Sequence, residues 1–356
     1  MQNDVHFINF LPDALSIKIF TSLEDPSDLV RFSAVSRSCR RFVITNGLCK
    51  HLCLRMFPQL SRVDHVNELG VTLNGHAEAG SSNFMEWEAL EREHRVYASL
   101  ARGFLSFAIR ECISEAIIAS STDNHPDESI DNTLDPGDRV RGRASYWSSS
   151  GQSNPAVPET LTYKLNADLC VITEINIKPF QAYFQYHYPI YSAKSVRFRM
   201  GHIKSSMENH VDEFVWTYTS QEFPMAQENC LQNFKLPEPI LCIGGILQIE
   251  LLGRVQRQEI DGLFYICVCH VQVVGVPLSP FGIQIIEPSE KFVLEVLSYT
   301  QPPSPEETRS VSTLQMRVRR GNVVDVVEDG DGWDLFYGEL VEDEDENEEE
   351  EDVDIE

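Results

Sequence analysis

Leu11-Pro12-Asp13-Ala14-Leu15, followed further on by Val35-Ser36-Arg37, decides how the start of the chain is read. Pro12 suits the first turn of a helix, where its missing N–H has no partner to lose and its fixed φ matches helical geometry. Leu11, Leu15, Ile19 and Leu23 then recur every four residues and draw one apolar stripe. Glu24-Asp25-Pro26 breaks this helix, and Ser27 is placed to cap a second, with Leu29, Phe32, Val35 and Cys39 on one face. A third, weaker helix spans Leu48 to Phe57 and stops at Pro58. Three helices in so short a stretch cannot enclose a self-sufficient core, so apolar side chains left at the rim are expected to be covered by another chain.

Residues 10–57 resemble the F-box. Leu11, Pro12, Leu15, Ile19, Phe20, Leu29, Val35, Ser36 and Arg37 each match its pattern. Where many F-boxes place Trp, in the second helix and at the start of the third, this chain has the smaller Cys39 and Cys49. The resemblance implies a non-catalytic subunit of a ubiquitin ligase. Those nine residues would dock a BTB-fold adaptor of the cullin-RING ligases and, through it, a cullin, while the rest of the chain captures a target protein.

The amino terminus has no cationic region followed by an apolar run, and eighteen apolar residues never occur in succession, so cytoplasm or nucleus is the expected location. Nine cysteines, an odd number, show no disulfide-scaffold spacing in so long a chain, which predicts reduced thiols. Cys267-Val268-Cys269-His270 lacks a second ligand pair at zinc-site spacing and sits in a β-pattern, where Cys is ordinarily a small buried apolar residue. The net charge of −26 is concentrated at one end: eighteen carboxylates and no Lys or Arg follow Arg320, which leaves −8 on residues 1–320. Glu342-Asp343-Glu344-Asp345-Glu346 and Glu348-Glu349-Glu350-Glu351-Asp352 repel themselves and bury nothing, so a disordered tail is expected there. Repulsion from phosphates and the lack of a basic stripe argue against nucleic acid.

The expected organisation is multidomain α plus all-β: an F-box over 1–57, a helical linker over 58–118, an antiparallel jelly-roll sandwich over 119–298, and a Pro-containing linker with the acidic tail over 299–356. In the linker, Trp87, Leu90, His94, Tyr97, Ala101, Phe104, Ala108 and Cys112 fall at helical spacing, with a possible break at Gly103. This helix reads either as a strut between the flanking parts or as core for the next one. From about Ala119 short β-rich runs take over: 161–165, 171–177, 195–200, 213–219, 232–236, 246–252 and 263–274. Asp261-Gly262 signals a hairpin, since both residues tolerate positive φ.

Ala119-Ser120-Ser121, Asn132-Thr133-Leu134-Asp135 and Tyr146-Trp147-Ser148-Ser149 are similar to the opening of the discoidin or galactose-binding-like jelly roll, and 161–165 with 171–177 to its first strand pair. With the F-box, the arrangement resembles plant F-box proteins carrying such a sandwich. Recognition in sandwiches of this kind comes from loops at one end. That makes Trp147, Phe180, Tyr183, Phe184, Tyr186, Tyr188 and Tyr191 the candidate substrate surface, set against the commoner fate of such aromatics as core. Asp123, Asp135 and Asp138 are either a calcium loop or, more commonly, turn formers. No cofactor is expected, and the motifs of serine hydrolases, zinc proteases and nucleotide-binding enzymes are absent. The alternative function is a lectin-like or scaffold protein whose helical start is structural.

Overall fold

The computed structural model describes residues 11–68, 82–140, 142–204, 213–286, 289 and 291–299. The expected loop around Gly70, Gly75 and Gly80, the Pro-containing segment and the acidic tail lie outside these.

Four helices, one more than expected, open the described chain: α1 (Asp13–Thr21), α2 (Pro26–Val35), α3 (Arg37–Thr45) and α4 (Leu48–Met56). The extra one comes from Ser36. Its backbone is extended at φ −159°, ψ 165°, and its hydroxyl accepts from the Cys39 N–H at 3.1 Å, so it ends α2 and caps α3. Asp25, two residues ahead of the expected Ser27, caps α2 by accepting from the Ser27 N–H at 2.7 Å, with Pro26 at the first helical position. A later helix, α5 (Ser82–Ser106), runs unbroken through Gly103.

The strands are β1 (Val63–Glu68), β2 (Ile113–Ala119), β3 (Glu159–Leu165), β4 (Leu169–Gln181), β5 (Ala193–Lys204), β6 (Glu213–Thr219), β7 (Gln232–Ile243), β8 (Ile246–Arg254), β9 (Cys267–Pro277), β10 (Phe281–Ile286) and β11 (Lys291–Val296). Antiparallel sheets of order β2-β3-β8-β5-β6 and β7-β4-β9 make the sandwich. Alternation decides which side chains meet between them: Leu161 and Tyr163 of β3, Val196, Phe198 and Met200 of β5, and Leu247, Ile249 and Leu251 of β8 share one buried cluster with Ile175 and Ile177 of β4 and Val271 and Val273 of β9. The tight connection is Gly244-Gly245 between β7 and β8, with φ of +98° and +66°. Asp261-Gly262 also turns, with Gly262 at φ +74°, inside the longer loop before β9. Both β4 and β9 are interior strands: β7 and β9 flank β4, and β9 pairs on its other side with Arg110–Glu111 and Trp147–Ser148.

Two differences from the expected organisation have one cause. The segment 58–118 contains β1 besides α5 and already starts the sandwich at Ile113, and β10–β11 leave the sandwich to pair with β1. Their apolar side chains bury against helices: Phe281, Phe292, Leu294 and Val296 lie in one cluster with Leu29, Val43, Leu48 and Leu52 of the helical layer and with Val96, Tyr97, Leu100 and Ala101 of α5. Leu169, Val171, Leu241, Ile243 and Leu278 of the sandwich belong to the same cluster, and a Cβ on Gly103 would sit 3.4 Å from Leu278. α5 is therefore core. The apolar run Leu169-Cys170-Val171-Ile172 is explained likewise: 169 and 171 face the helices while 170 and 172 face the sandwich. All nine cysteines are free thiols, eight of them buried, and burial pushes Cys49 up to about 11 and Cys267 to about 12. No described helix is long and apolar enough to cross a membrane.

Candidate functional site

At one end of the sandwich, four stretches distant in sequence enclose a cavity of about 230 Å³. Asp123, Asn124 and Glu128 come from the loop after β2, Tyr146 and Ser148 from the segment that joins β9, Phe180, Ala182, Phe184, Gln185 and Tyr191 from the end of β4 and its following loop, and Gln258, Tyr265 and Cys267 from the approach to β9.

Loops cannot satisfy their backbone through a strand ladder, and here a buried ion pair does it for them. Arg254, at the end of β8, is fully buried and pairs with Glu159, at the start of β3. Its Nη1 also donates to Ser149 Oγ at 2.8 Å and to the carbonyls of Ser150 at 2.9 Å and Phe264 at 3.0 Å, and its Nε to that of Val157 at 3.2 Å. Glu159 in turn accepts from the hydroxyls of Ser120 and Ser121. One guanidinium and one carboxylate thus tie the segments around 120, 150, 157 and 264 together. With every guanidinium nitrogen and both carboxylate oxygens engaged, the pair avoids the penalty of a half-satisfied buried charge.

Polar contacts inside the cavity follow one pattern. Tyr146 donates to Glu128 Oε1 at 2.6 Å, Tyr191 to Gln185 Oε1 at 2.6 Å and Tyr265 to Asp261 Oδ2 at 2.5 Å. Burial, reinforced by Glu128, raises Tyr146 well above the ordinary phenol range; burial and the bond to Asp261 do the same to Tyr265, and burial pushes Tyr191 up to about 12. Burial, then the charges of Glu128 and Asp261, hold the Asp123 carboxyl above its usual value. Glu128 Oε2 is buried without a hydrogen-bond partner among the described residues.

The seven aromatics expected to form a substrate surface separate into two groups. Trp147 is fully buried, donating from Nε1 to the Ser121 carbonyl at 3.0 Å; Phe180 and Tyr191 are buried too, Phe180 stacking on Tyr146 with ring centroids 3.9 Å apart. Their expected exposure is corrected: each packs where β4, β9 and the loops converge. Tyr183 is half-buried, with the Arg139 guanidinium 4.1 Å over its ring. Phe184, Tyr186 and Tyr188 are exposed, Tyr186 by 80%. Next to them His187 and Tyr188 hold φ of +66° and +49°, backbone states that non-glycine residues rarely adopt and that cluster at recognition loops. Glu128, Tyr146 and Tyr265 escaped the sequence reading as site residues; the only hints were Tyr146 beside Trp147 and Tyr265 beside Asp261-Gly262.

The nine helical residues also divide. Phe20 and Leu29 are core, Phe20 stacked on Phe32 at 4.1 Å. Ser36 is the cap described above, Leu11 is half-buried, and Pro12 and Arg37 are exposed. Leu15 and Ile19, one turn apart on α1, remain 50% and 47% exposed, and Val35 64%. Of the carboxylates weighed for calcium, Asp135 accepts from the Gly137 N–H at 2.9 Å as a turn former, and the described residues contain no metal-type cluster.

A model of the F-box-like family matches residues 8–55. F-box protein At4g00755 of Arabidopsis thaliana is 53% identical over 318 residues, spanning 85% of this chain and 84% of its own length. The chain belongs to the F-box proteins. Among solved structures, the family 32 carbohydrate-binding module of Clostridium perfringens NanJ, in complex with galactose, covers 47% of this F-box protein and 99% of its own chain at 15% identity and a TM-score of 0.30. That of Streptococcus pneumoniae EndoD covers 46% and 97% at 10% identity and a TM-score of 0.32. Membership in the F-box proteins corrects the expected partner: F-box proteins bind the Skp1 adaptor of SCF complexes, not a BTB adaptor.

Proposed function

We propose that this F-box protein is the non-catalytic substrate receptor of an SCF ubiquitin ligase, with its helical rim on Skp1 and the loop end of its sandwich on a target protein. Family membership supports the ligase half. The observation that carries the docking surface is Leu15, Ile19 and Val35, large apolar side chains left in solvent on helices whose other faces are packed. On the other side, exposed Phe184, Tyr186 and Tyr188 offer broad amphipathic area on a strained loop, the kind of anchor that dominates protein interfaces. Ubiquitin transfer would then be promoted by proximity alone, the receptor raising the effective concentration of the target near the charged partner.

Co-purification tests this. The full chain should retain Skp1, and Leu15→Asp with Ile19→Asp should weaken capture at least about tenfold, because a carboxylate in an apolar interface has no partner. Neither side chain supports the core, so the melting temperature should hold. Undiminished capture would remove the assignment of this rim.

A further inference from the structure

We propose that the loop-end cavity receives a primary alkylammonium group, the tip of a lysine side chain on the captured protein. This rests on the reading of that end as the substrate-capture surface.

The lining offers acceptors and negative charge. Tyr146, Tyr191 and Tyr265 each spend their hydroxyl proton on Glu128, Gln185 or Asp261, so what their oxygens can still give a ligand is lone pairs. Asp123 and Glu128 line the same space and no Lys or Arg does. The amides of Asn124, Gln185 and Gln258 and the Ser148 hydroxyl add donors, but the charge on the wall is negative only, which a neutral sugar leaves uncompensated and a cationic donor offsets.

Glu128 narrows the choice further. Its Oε1 accepts from Tyr146, and its Oε2 is buried with no partner among the described residues, a costly arrangement that a nearby cation relieves. With Oε1 shared with Tyr146, Glu128 does not offer two free oxygens to the fork of a guanidinium, whereas an ammonium is a compact charge with rotatable donors that needs only Oε2. A quaternary ammonium, lacking N–H, would leave that oxygen unbonded. At about 230 Å³ the cavity is smaller than the roughly 300–1,000 Å³ of ordinary small-molecule sites and admits one extended side chain. Phe180, Phe184 and Tyr265 supply apolar wall for the methylene stem, and ring faces favour the charge at its end.

The test is ligand-observed NMR on the full chain co-purified with Skp1, titrated in parallel with n-butylammonium, n-butylguanidinium, tetramethylammonium and galactose. Saturable n-butylammonium binding is expected, with the other three at least about tenfold weaker. Glu128→Gln keeps an acceptor for Tyr146 and should weaken n-butylammonium about tenfold or more; Asp123→Asn, at an exposed side chain, should weaken it several-fold. Both variants should melt like the parent and keep Skp1. Unchanged affinity in both variants, absence of saturable binding, or a preference for galactose, guanidinium or tetramethylammonium overturns the proposal. Because Skp1 capture is read in the same samples, failure of the ligase reading appears separately, as lost adaptor with the ammonium response intact.

Discussion

The helical layer and the loop end of the sandwich both expose large apolar side chains, and they support them by different physics. Beneath Leu15, Ile19 and Val35 lies apolar packing: the Phe20–Phe32 stack, Leu29, Val43 and Leu52, continued by Phe292 and Leu294. Phe184 rests on the rings of Phe180 and Tyr183, and the loop end adds to this packing a polar lattice, in which Arg254 and Glu159 stitch together the segments around 120, 150, 157 and 264. Helices satisfy their backbones locally and need only volume filled; loops need donors brought to them. The first support should therefore fail in proportion to the volume lost, and the second abruptly when one charge is left alone.

The sharpest way to break the contrast is Arg254→Met. Stranding the buried Glu159 should cost about 3–5 kcal/mol, measured by urea denaturation, and pairing it with Glu159→Leu should recover most of that. A single-variant loss under about 1 kcal/mol would mean that the ion pair is not what holds the loops. Next comes Phe292→Ala in the shared core, expected to cost about 3 kcal/mol by cavity formation. Helical and β signals should still melt in one transition; two would show that the helical layer and the sandwich are separable after all.

A smaller effect sits between β1 and α5. Arg95 donates to both Glu68 oxygens, at 3.1 and 2.9 Å, and this bonding holds the Glu68 carboxyl below its ordinary value of 4.5. A depressed acid stabilises the fold above its unfolded pKa and loses that contribution as pH falls through the folded value. Glu68→Gln should lower stability at neutral pH by under about 1 kcal/mol, with the gap to the parent closing as pH drops below 4.5. Least of all, removing residues 301–356 should move stability by no more than about 0.5 kcal/mol, since the carboxylates crowded at 342–352 repel one another and oppose compact packing. A larger drop in a thermal melt would sink that expectation.

What the sequence made legible follows the same division. The first helix and the β-rich runs at 161–165, 195–200 and 246–252 are local patterns, and α1, β3, β5 and β8 form there, although Leu11 and Leu23 of the expected stripe fall outside α1. Ser36 misled because its neighbours continue a helical stripe while its hydroxyl competes for the backbone. β1, β10 and β11 were invisible as a sheet because β1 pairs with β11 across most of the chain, a contact no local window contains. Trp147, Phe180 and Tyr191 were drawn to the surface by their place near strand ends, although the convergence of β4, β9 and the loops buries them. The cavity has no sequence signature at all: Asp123, Glu128, Tyr146, Gln185 and Tyr265 meet only after the sandwich has closed.

The cluster that runs from Leu29 through Tyr97 to Leu169 and Leu241 has a mechanical consequence. A flexible tether between the rim and the cavity would let a captured protein wander and present any of its surface lysines in turn. This bracket is stiff, because changing the distance between its two ends would require prying open an apolar core. If the proposed receptor role holds, a cargo gripped in it would meet the rest of a ligase in few orientations, so the spacing of its own lysines from the gripped residue, rather than their number, would set which are modified.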